Sequence, residues 1–110
     1  MTTIFDIIAD STRRQILDRL RQRPHLVGEL VEILDISQPG VSKQLRILRD
    51  VGLVHVKRDA QKRWYILQPE PLQELDAWLQ DYRQLWSDRF DNLDDYLQQL
   101  DQEEQNTDEQ

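Results

Sequence analysis

The spacing of the apolar residues changes at Gly52, and this change constrains the fold more than any other feature. Before Gly52, apolar residues recur at intervals of three and four in four short segments, which is typical of amphipathic helices. After Gly52, the β-rich runs LVHV and WYIL stand on either side of a polar, charged stretch. Such runs around a polar turn predict a β-hairpin over residues 53–68. The sequence therefore predicts a mainly α fold with a small β-hairpin.

Local signals predict where the short helices begin and end. Asp10 or Ser11 can cap the second helix, and Pro24 stops it because proline lacks an amide hydrogen. In the interruption DISQPG, Ser37 can cap the fourth helix, and Pro39 is acceptable within its first turn. That helix is expected to end near Gly52. The third and fourth helices are thus joined by a turn so short that they must form a bent helix pair.

One long helix is predicted from about residue 70 to about residue 100. Its apolar residues are close to heptad spacing, and at about 1.5 Å per residue it would be about 45 Å long. Because so long a helix overhangs a small domain, we expect its apolar stripe to pack against a second subunit. The residues that we assign to this dimer contact are Ile4, Phe5, Ile8, Leu75, Leu79, Tyr82, Trp86 and Leu93. Residues 1–100 are then one domain, and residues 101–110, which lack apolar side chains, are expected to be a disordered acidic tail.

The charge is distributed unevenly. The 110 residues carry a formal net charge of -7, which as an average argues against an anionic partner. Residues 11–63, however, carry twelve bases and six acids, whereas residues 64–110 carry two bases and thirteen acids. A basic front half suggests an anionic partner for that half alone.

Several classes of function are excluded or disfavoured by the composition. The chain has no cysteine, which excludes disulfides, thiolate catalysis and cysteine-ligated metals. Two histidines, His25 and His55, and three glycines leave no visible catalytic triad or phosphate loop, so we predict no enzyme activity and no cofactor. We expect His25 to lie at the surface. With neither a signal peptide nor a membrane-spanning run, the expected location is the cytoplasm.

The bent helix pair and the hairpin together predict a winged helix-turn-helix that binds double-stranded DNA. If Val41, Leu45 and Leu48 face inward, the residues that face outward include Ser42, Lys43 and Arg46, and Gln38 lies at the leading end. These side chains can contact base edges and phosphates. The hairpin tip adds cations suited to the minor groove or its phosphates: Lys57, Arg58, Lys62 and Arg63. Taken singly, each cluster is more often an ordinary solvated surface, and it is their combination that favours DNA binding.

Two stretches also resemble the ArsR-type bacterial winged-helix repressors. IIADSTRRQIL is similar to their ALADPTRRRIL opening, and DISQPGVSKQLRILRDVGLVHVKRDAQKRWYIL resembles their recognition helix and wing, so that the match covers about residues 4–68. The resemblance implies a homodimeric regulator, usually a repressor, on a palindromic operator. It also implies that DNA is read by Gln38, Ser42, Lys43, Gln44 and Arg46, and that the four wing cations contact backbone or minor groove.

Departures from the family pattern bear on which metal or other inducer the protein could sense. Metal-sensing members carry a Cys-x-Cys pair where this chain has Leu26 and Gly28, and others place Asp and His ligands on the last helix, which here has no histidine. We therefore expect no metal, and the inducer is left open. The aromatics of the last helix could line a ligand pocket, although helical spacing beside leucines favours a dimer core. The alternative function is a winged-helix module that docks an acidic protein partner.

Overall fold

A computed structural model describes residues 3–108, with side-chain surroundings for residues 3–104. Five helices and two strands follow one another along the chain. They are α1 (Ile4–Ala9), α2 (Ser11–Gln22), α3 (Val27–Leu34), α4 (Gln38–Asp50), β1 (Val54–Asp59), β2 (Lys62–Leu67) and α5 (Leu72–Asp108). The chain divides into two units, the first up to Leu75 and the second from Asp76 onward. The predicted fold class, mainly α with a small hairpin, is confirmed.

Short polar side chains cap the helices of the first unit. Asp10 accepts hydrogen bonds from the amides of Thr12 and Arg13 at 2.8 and 3.1 Å, which fixes the start of α2. Ser37 accepts one from the amide of Gly40 at 3.2 Å and fixes the start of α4. Ser37 is the predicted cap of α4, and of the two candidates for α2, Asp10 and Ser11, the cap is Asp10.

The first unit has one apolar core to which every helix before the hairpin contributes. Fully buried side chains come from α1 to α4, from Leu53 and from the start of β1: Ile7, Ile16, Leu30, Val41, Leu45, Leu48, Leu53 and Val54. Each such side chain stabilises the folded state by about 1.5–3 kcal/mol relative to exposure. The inner face of α4 is therefore the predicted one, and its other face is left for the solvent.

The strands β1 and β2 form an antiparallel hairpin, which we call the wing. Their register pairs Val54 with Leu67 at the root and Asp59 with Lys62 at the tip. The connection is two residues long, and Ala60 within it has a φ of 56°, in the left-handed region. The predicted hairpin over 53–68 is confirmed.

The wing is tied at its root to the segment between α2 and α3. His25 and Tyr65 form an antiparallel bridge, in which the amide of Tyr65 donates to the carbonyl of His25 at 2.8 Å and the reverse bond is 3.1 Å long. The His25 side chain is 2% exposed, and its Nδ1 lies 2.8 Å from the carbonyl oxygen of Arg23. The expectation that His25 lies at the surface was therefore wrong.

Two further expectations differ from the structure. Ile4, assigned to the dimer contact, is 6% exposed and packs in the core of the single chain, so it has almost no surface to offer a second subunit. The long helix continues past residue 100 to Asp108, so residues 101–108 are helical rather than disordered. Glu and Gln are good helix formers, and no Gly or Pro interrupts the segment. Residues 109–110 of the predicted tail lie outside the described residues.

Within the second unit, α5 exposes a continuous apolar face. Phe90 is 67% exposed and Trp86 is 49% exposed, and further large apolar side chains on the helix are comparably exposed. The rings of Trp78 and Tyr82 lie 4.9 Å apart, centroid to centroid. Arg83 Nη1 and Asp76 Oδ1 form an ion pair at 2.6 Å. No helix among residues 3–108 is long and apolar enough to cross a membrane.

Candidate nucleic-acid interface

A tight turn sets α4 against α3. Asp35 ends α3 in the left-handed conformation with a φ of 53°, and α4 begins three residues later. Gly40 sits so close to this turn that a β-carbon there would lie 3.0 Å from Ile36 Cγ2 and 3.1 Å from Ser37 Oγ. A side chain at position 40 would therefore require Ile36 or Ser37 to shift by a few tenths of an ångström.

The outer face of α4 presents a set of polar and cationic side chains. Gln38, Ser42, Lys43 and Arg46 are all exposed, while Val41, Leu45 and Leu48 are buried on the other side. Four of the five α4 residues predicted to read DNA thus lie at the surface of one helix face. An exposed polar face on the second helix of such a pair has the geometry of a recognition helix.

Gln44, the fifth of these residues, lies differently. It is half-buried, and its Oε1 is 3.5 Å from Nη1 of Arg13 in α2. Position 44 lies between the buried residues 41 and 48 on the helix, so its side chain runs along the edge of the protein interior. We infer that Gln44 positions the recognition helix, and its role in reading bases stays a prediction.

The four cations predicted on the wing lie on two different faces of the hairpin. Side chains alternate across a strand, so Arg58 and Arg63, which pair directly, share one face, while Lys57 and Lys62 share the other. The face of Arg63 and Tyr65 borders α4. The opposite face, with Lys57 and Trp64, borders a second and more apolar cleft beside Pro24.

A polar cleft joins the recognition helix to the wing. Its volume is about 310 Å³, and it is lined by Ser42, Leu45, Arg46, Arg49, Arg63 and Tyr65. Three of the lining residues are arginines, whose guanidinium groups are suited to phosphate because their donors match its geometry. Arg49 was missing from the residues predicted to bind DNA. Its position, one turn beyond Arg46 on the same helix face, was the signal that could have identified it.

An ion pair stabilises the segment that leads into α3. Arg23 Nη2 and Glu29 Oε2 lie 2.8 Å apart, and the amide of Leu26 donates to Glu29 Oε1 at 2.9 Å. The hydrogen bonds from Arg23 and from this amide lower the pKa of Glu29 to about 2. The same carboxylate raises the pKa of Arg23. Both charges therefore persist at neutral pH, next to the root of the wing.

The residues assigned to the dimer contact lie at several places. Ile8 and Leu75 line one apolar groove of the first unit, together with Leu17, Leu67 and Leu72. Phe5 is 36% exposed, and Tyr82, Trp86 and Leu93 are exposed on α5. Among the described residues no cluster of three or more possible metal ligands occurs. Leu26 and Gly28 supply no liganding side chain at the positions of the Cys pair.

A helix pair with an exposed polar recognition helix, placed beside a basic wing, defines a winged-helix DNA-binding protein. Comparison with known proteins narrows this class. The sequence profile of the family described as "Bacterial regulatory protein, arsR family" matches residues 10–56. The transcriptional repressor SdpR of Bacillus subtilis is 34% identical over 79 residues, which cover 72% of this chain and 88% of that protein.

One further related sequence and one solved structure indicate the same family. An arsenic resistance transcriptional regulator of Pseudomonas putida is 38% identical, over 76% of this chain and 68% of its own length. A crystal structure of an ArsR family transcriptional regulator superposes with a TM-score of 0.65 at 33% identity, over 76% of this chain and 87% of the other. The chain belongs to the ArsR family of bacterial regulatory proteins. It is a DNA-binding transcriptional regulator, as its sequence predicts, and that family is not one of enzymes.

Proposed function

We propose that the chain is a homodimeric repressor that binds a palindromic operator without a metal. The observation that carries this proposal is the cleft between α4 and the wing, which is lined by Arg46, Arg49 and Arg63. Two recognition helices held in one dimer would enter successive major grooves about 34 Å apart. Bound there, the dimer would block initiation of transcription sterically, in the cytoplasm where the DNA is.

The residue roles follow from position. Ser42, Lys43 and Arg46 would contact base edges and phosphates, with Gln38 at the leading end of the helix. Arg58 and Arg63 stand directly opposite each other, an arrangement that repels in the free protein. A phosphate between them would remove that repulsion, which supports a place for the DNA backbone at this face of the wing. Lys57 and Lys62 would reach backbone from the other face.

Selection of bound fragments from the host genome tests the proposal, followed by gel shift with a salt titration. We expect a two-fold symmetric site and an affinity that falls steeply with salt, because binding releases counterions from the phosphates. Scattered fragments without symmetry would contradict a specific dimeric repressor. Absence of any shift at low salt would instead favour the alternative, a module that docks an acidic protein. Addition of a chelator should leave binding unchanged.

A further inference from the structure

A cleft lies on the face of the wing opposite to the face that borders α4. Its volume is about 690 Å³, within the roughly 300–1,000 Å³ that is usual for small-molecule sites. Lys57, Trp64 and Ile66 of the wing form one wall. Arg23 and Pro24, between α2 and α3, form the other. This cleft shares no lining residue with the cleft between α4 and the wing.

The main chain holds the two walls together. The bridge between His25 and Tyr65 has hydrogen bonds of 2.8 and 3.1 Å. Each of these residues directly follows a residue of the cleft, Pro24 on one wall and Trp64 on the other. The side chain of Arg23 is fixed as well, because its Nη1 donates to the carbonyl of Pro24 at 2.8 Å. Both walls are therefore in place before a ligand arrives, which lowers the free-energy cost of ordering them.

The wall formed by the wing offers an apolar surface with an aromatic ring in it. Trp64 and Ile66 are two residues apart in β2, so their side chains lie on the same face of the strand. Both are half-buried, and Lys57 pairs directly with Trp64 on this face. Aromatic rings pair with one another more favourably than their buried area alone predicts. The surface therefore favours a planar aromatic group over an aliphatic one.

The charges at the cleft favour an anion. Arg23 is neutralised by Glu29, since Nη2 of the one lies 2.8 Å from Oε2 of the other. Among residues 3–104, neither Lys57 nor Arg58 forms an ion pair, and Asp59 is the one acid that lines the cleft. The lining therefore has one positive charge in excess. A ligand with a single negative charge is complementary to it.

We propose that this cleft binds a planar aromatic monocarboxylate, with its rings against Trp64 and its carboxylate near Lys57. Bound there, the carboxylate would neutralise a cation that contacts the DNA backbone in the proposed function, and DNA binding would weaken. The cleft would then be the site through which such a compound acts as an inducer. This effect on DNA rests on the proposed function, whereas binding of the carboxylate does not.

Titration with 2-naphthoate, observed by two-dimensional NMR of the nitrogen-labelled chain, tests the site. The chain has three indole N–H groups, and Trp64→Phe identifies the signal that belongs to Trp64. We expect that signal to shift and to saturate with a Kd of about 1 mM for a ligand of this size, while the signals of Trp78 and Trp86 stay unchanged. Absence of saturation up to about 10 mM, or equal shifts at all three indoles, would overturn the proposal.

Two related probes and two variants test the recognition. The uncharged 2-naphthol should bind about threefold more weakly, because it lacks the carboxylate. Cyclohexanecarboxylate keeps the charge but lacks the rings, and it should bind about tenfold more weakly. Lys57→Gln should weaken binding of 2-naphthoate about threefold. Lys62→Gln removes the same charge from the same face of the wing but outside the lining of the cleft, and it should leave binding of 2-naphthoate unchanged.

Equal binding of the three probes would overturn the placing of the rings against Trp64 and of a charge beside them. Equal effects of the two variants would overturn the placing of the carboxylate near Lys57.

A gel shift on random duplex DNA tests the effect on DNA binding. Saturating 2-naphthoate should raise the Kd for DNA about two- to fivefold, because one cation of each wing is neutralised. Cyclohexanecarboxylate at the same concentration controls for ionic strength and should not raise it, and Lys57→Gln should lose the response. Unchanged DNA affinity with the NMR titration intact would remove the role as inducer site and leave the ligand site. A protein that binds no DNA at all would overturn the proposed function, and the NMR titration would still decide the ligand site.

Discussion

Nη1 of Arg13 lies 3.5 Å from Oε1 of Gln44, and this contact joins the first turn of α2 to the recognition helix. The same guanidinium group also serves α1, since its Nε donates to the carbonyl of Ile7 at 2.8 Å and its Nη2 to that of Asp6 at 3.3 Å. One side chain therefore connects three helices. A residue outside the helix pair thus contacts the recognition helix.

Replacing Arg13 should destabilise the fold. We expect Arg13→Leu to lower the free energy of unfolding by about 1–3 kcal/mol, because a partly buried carbonyl of α1 loses a charged donor. Urea denaturation measures the change. Arg19→Leu, on the exposed side of the same helix, is the control and should stay within about 0.5 kcal/mol of wild type. Equal losses in the two variants would contradict the connecting role.

We expect Arg46 to contribute to the preference for the operator sequence over other DNA. Arg46→Ala is expected to weaken operator binding by about 1–3 kcal/mol and to relax the preference at one base position in each half-site. Gln44→Ala should weaken binding less, since Gln44 is turned toward Arg13. Competition gel shifts with single-base operator variants measure both effects. Wild-type affinity in Arg46→Ala would refute the assignment of this residue.

Lys62 should matter for DNA of any sequence. We expect Lys62→Ala to weaken specific and non-specific binding alike and to lower the salt slope by about 1 for each lost phosphate contact. A salt titration on operator and on random DNA measures this. Arg49→Ala should behave in the same way if the cleft between helix and wing holds a phosphate, and a change in sequence preference would argue against that role.

Glu29 should make stability depend on pH in the acid range. Its pKa is lowered from an ordinary value of 4.5 to about 2, so its ion pair stabilises the fold fully above pH 4.5. That contribution is lost as the pH falls from 4.5 toward 2, because the unfolded chain then binds the proton first. We expect Glu29→Gln to have a flatter profile of Tm against pH over this window. Glu32→Gln, on the same helix and exposed, should retain the wild-type slope.

Two helical glycines should respond differently to the same substitution. Gly28→Ala meets no atom within 4 Å and should raise the free energy of unfolding by about 0.5–1 kcal/mol, because alanine loses less entropy in a helix. Gly40→Ala should lack this gain, since its β-carbon would press on Ile36 and on the capping Ser37. Chemical denaturation compares the two variants. An equal gain at both positions would show that the turn tolerates a side chain.

Much of the fold was predictable because it depends on local chemistry. The caps at Asp10 and Ser37 and the change of spacing at Gly52 are properties of a few neighbouring residues. The burial of His25 was not predictable, since it follows from a bridge to Tyr65, forty residues away in the sequence. The half-burial of Gln44 beside Arg13 was not predictable either, because the two residues lie on different helices. The composition of residues 101–108 suggested disorder, yet good helix formers there extend a helix that has already begun.

The bridge between His25 and Tyr65 has a consequence for how binding specificity can change over generations. It is made by main-chain atoms, so its two hydrogen bonds do not require particular side chains, although proline at either position would remove a donor. Main-chain hydrogen bonds at its root thus hold the wing in place, and the tip from Arg58 to Arg63 takes no part in this bridge. Substitutions at the tip would therefore change the proposed DNA contacts while the main-chain bridge that anchors the wing at its root is kept.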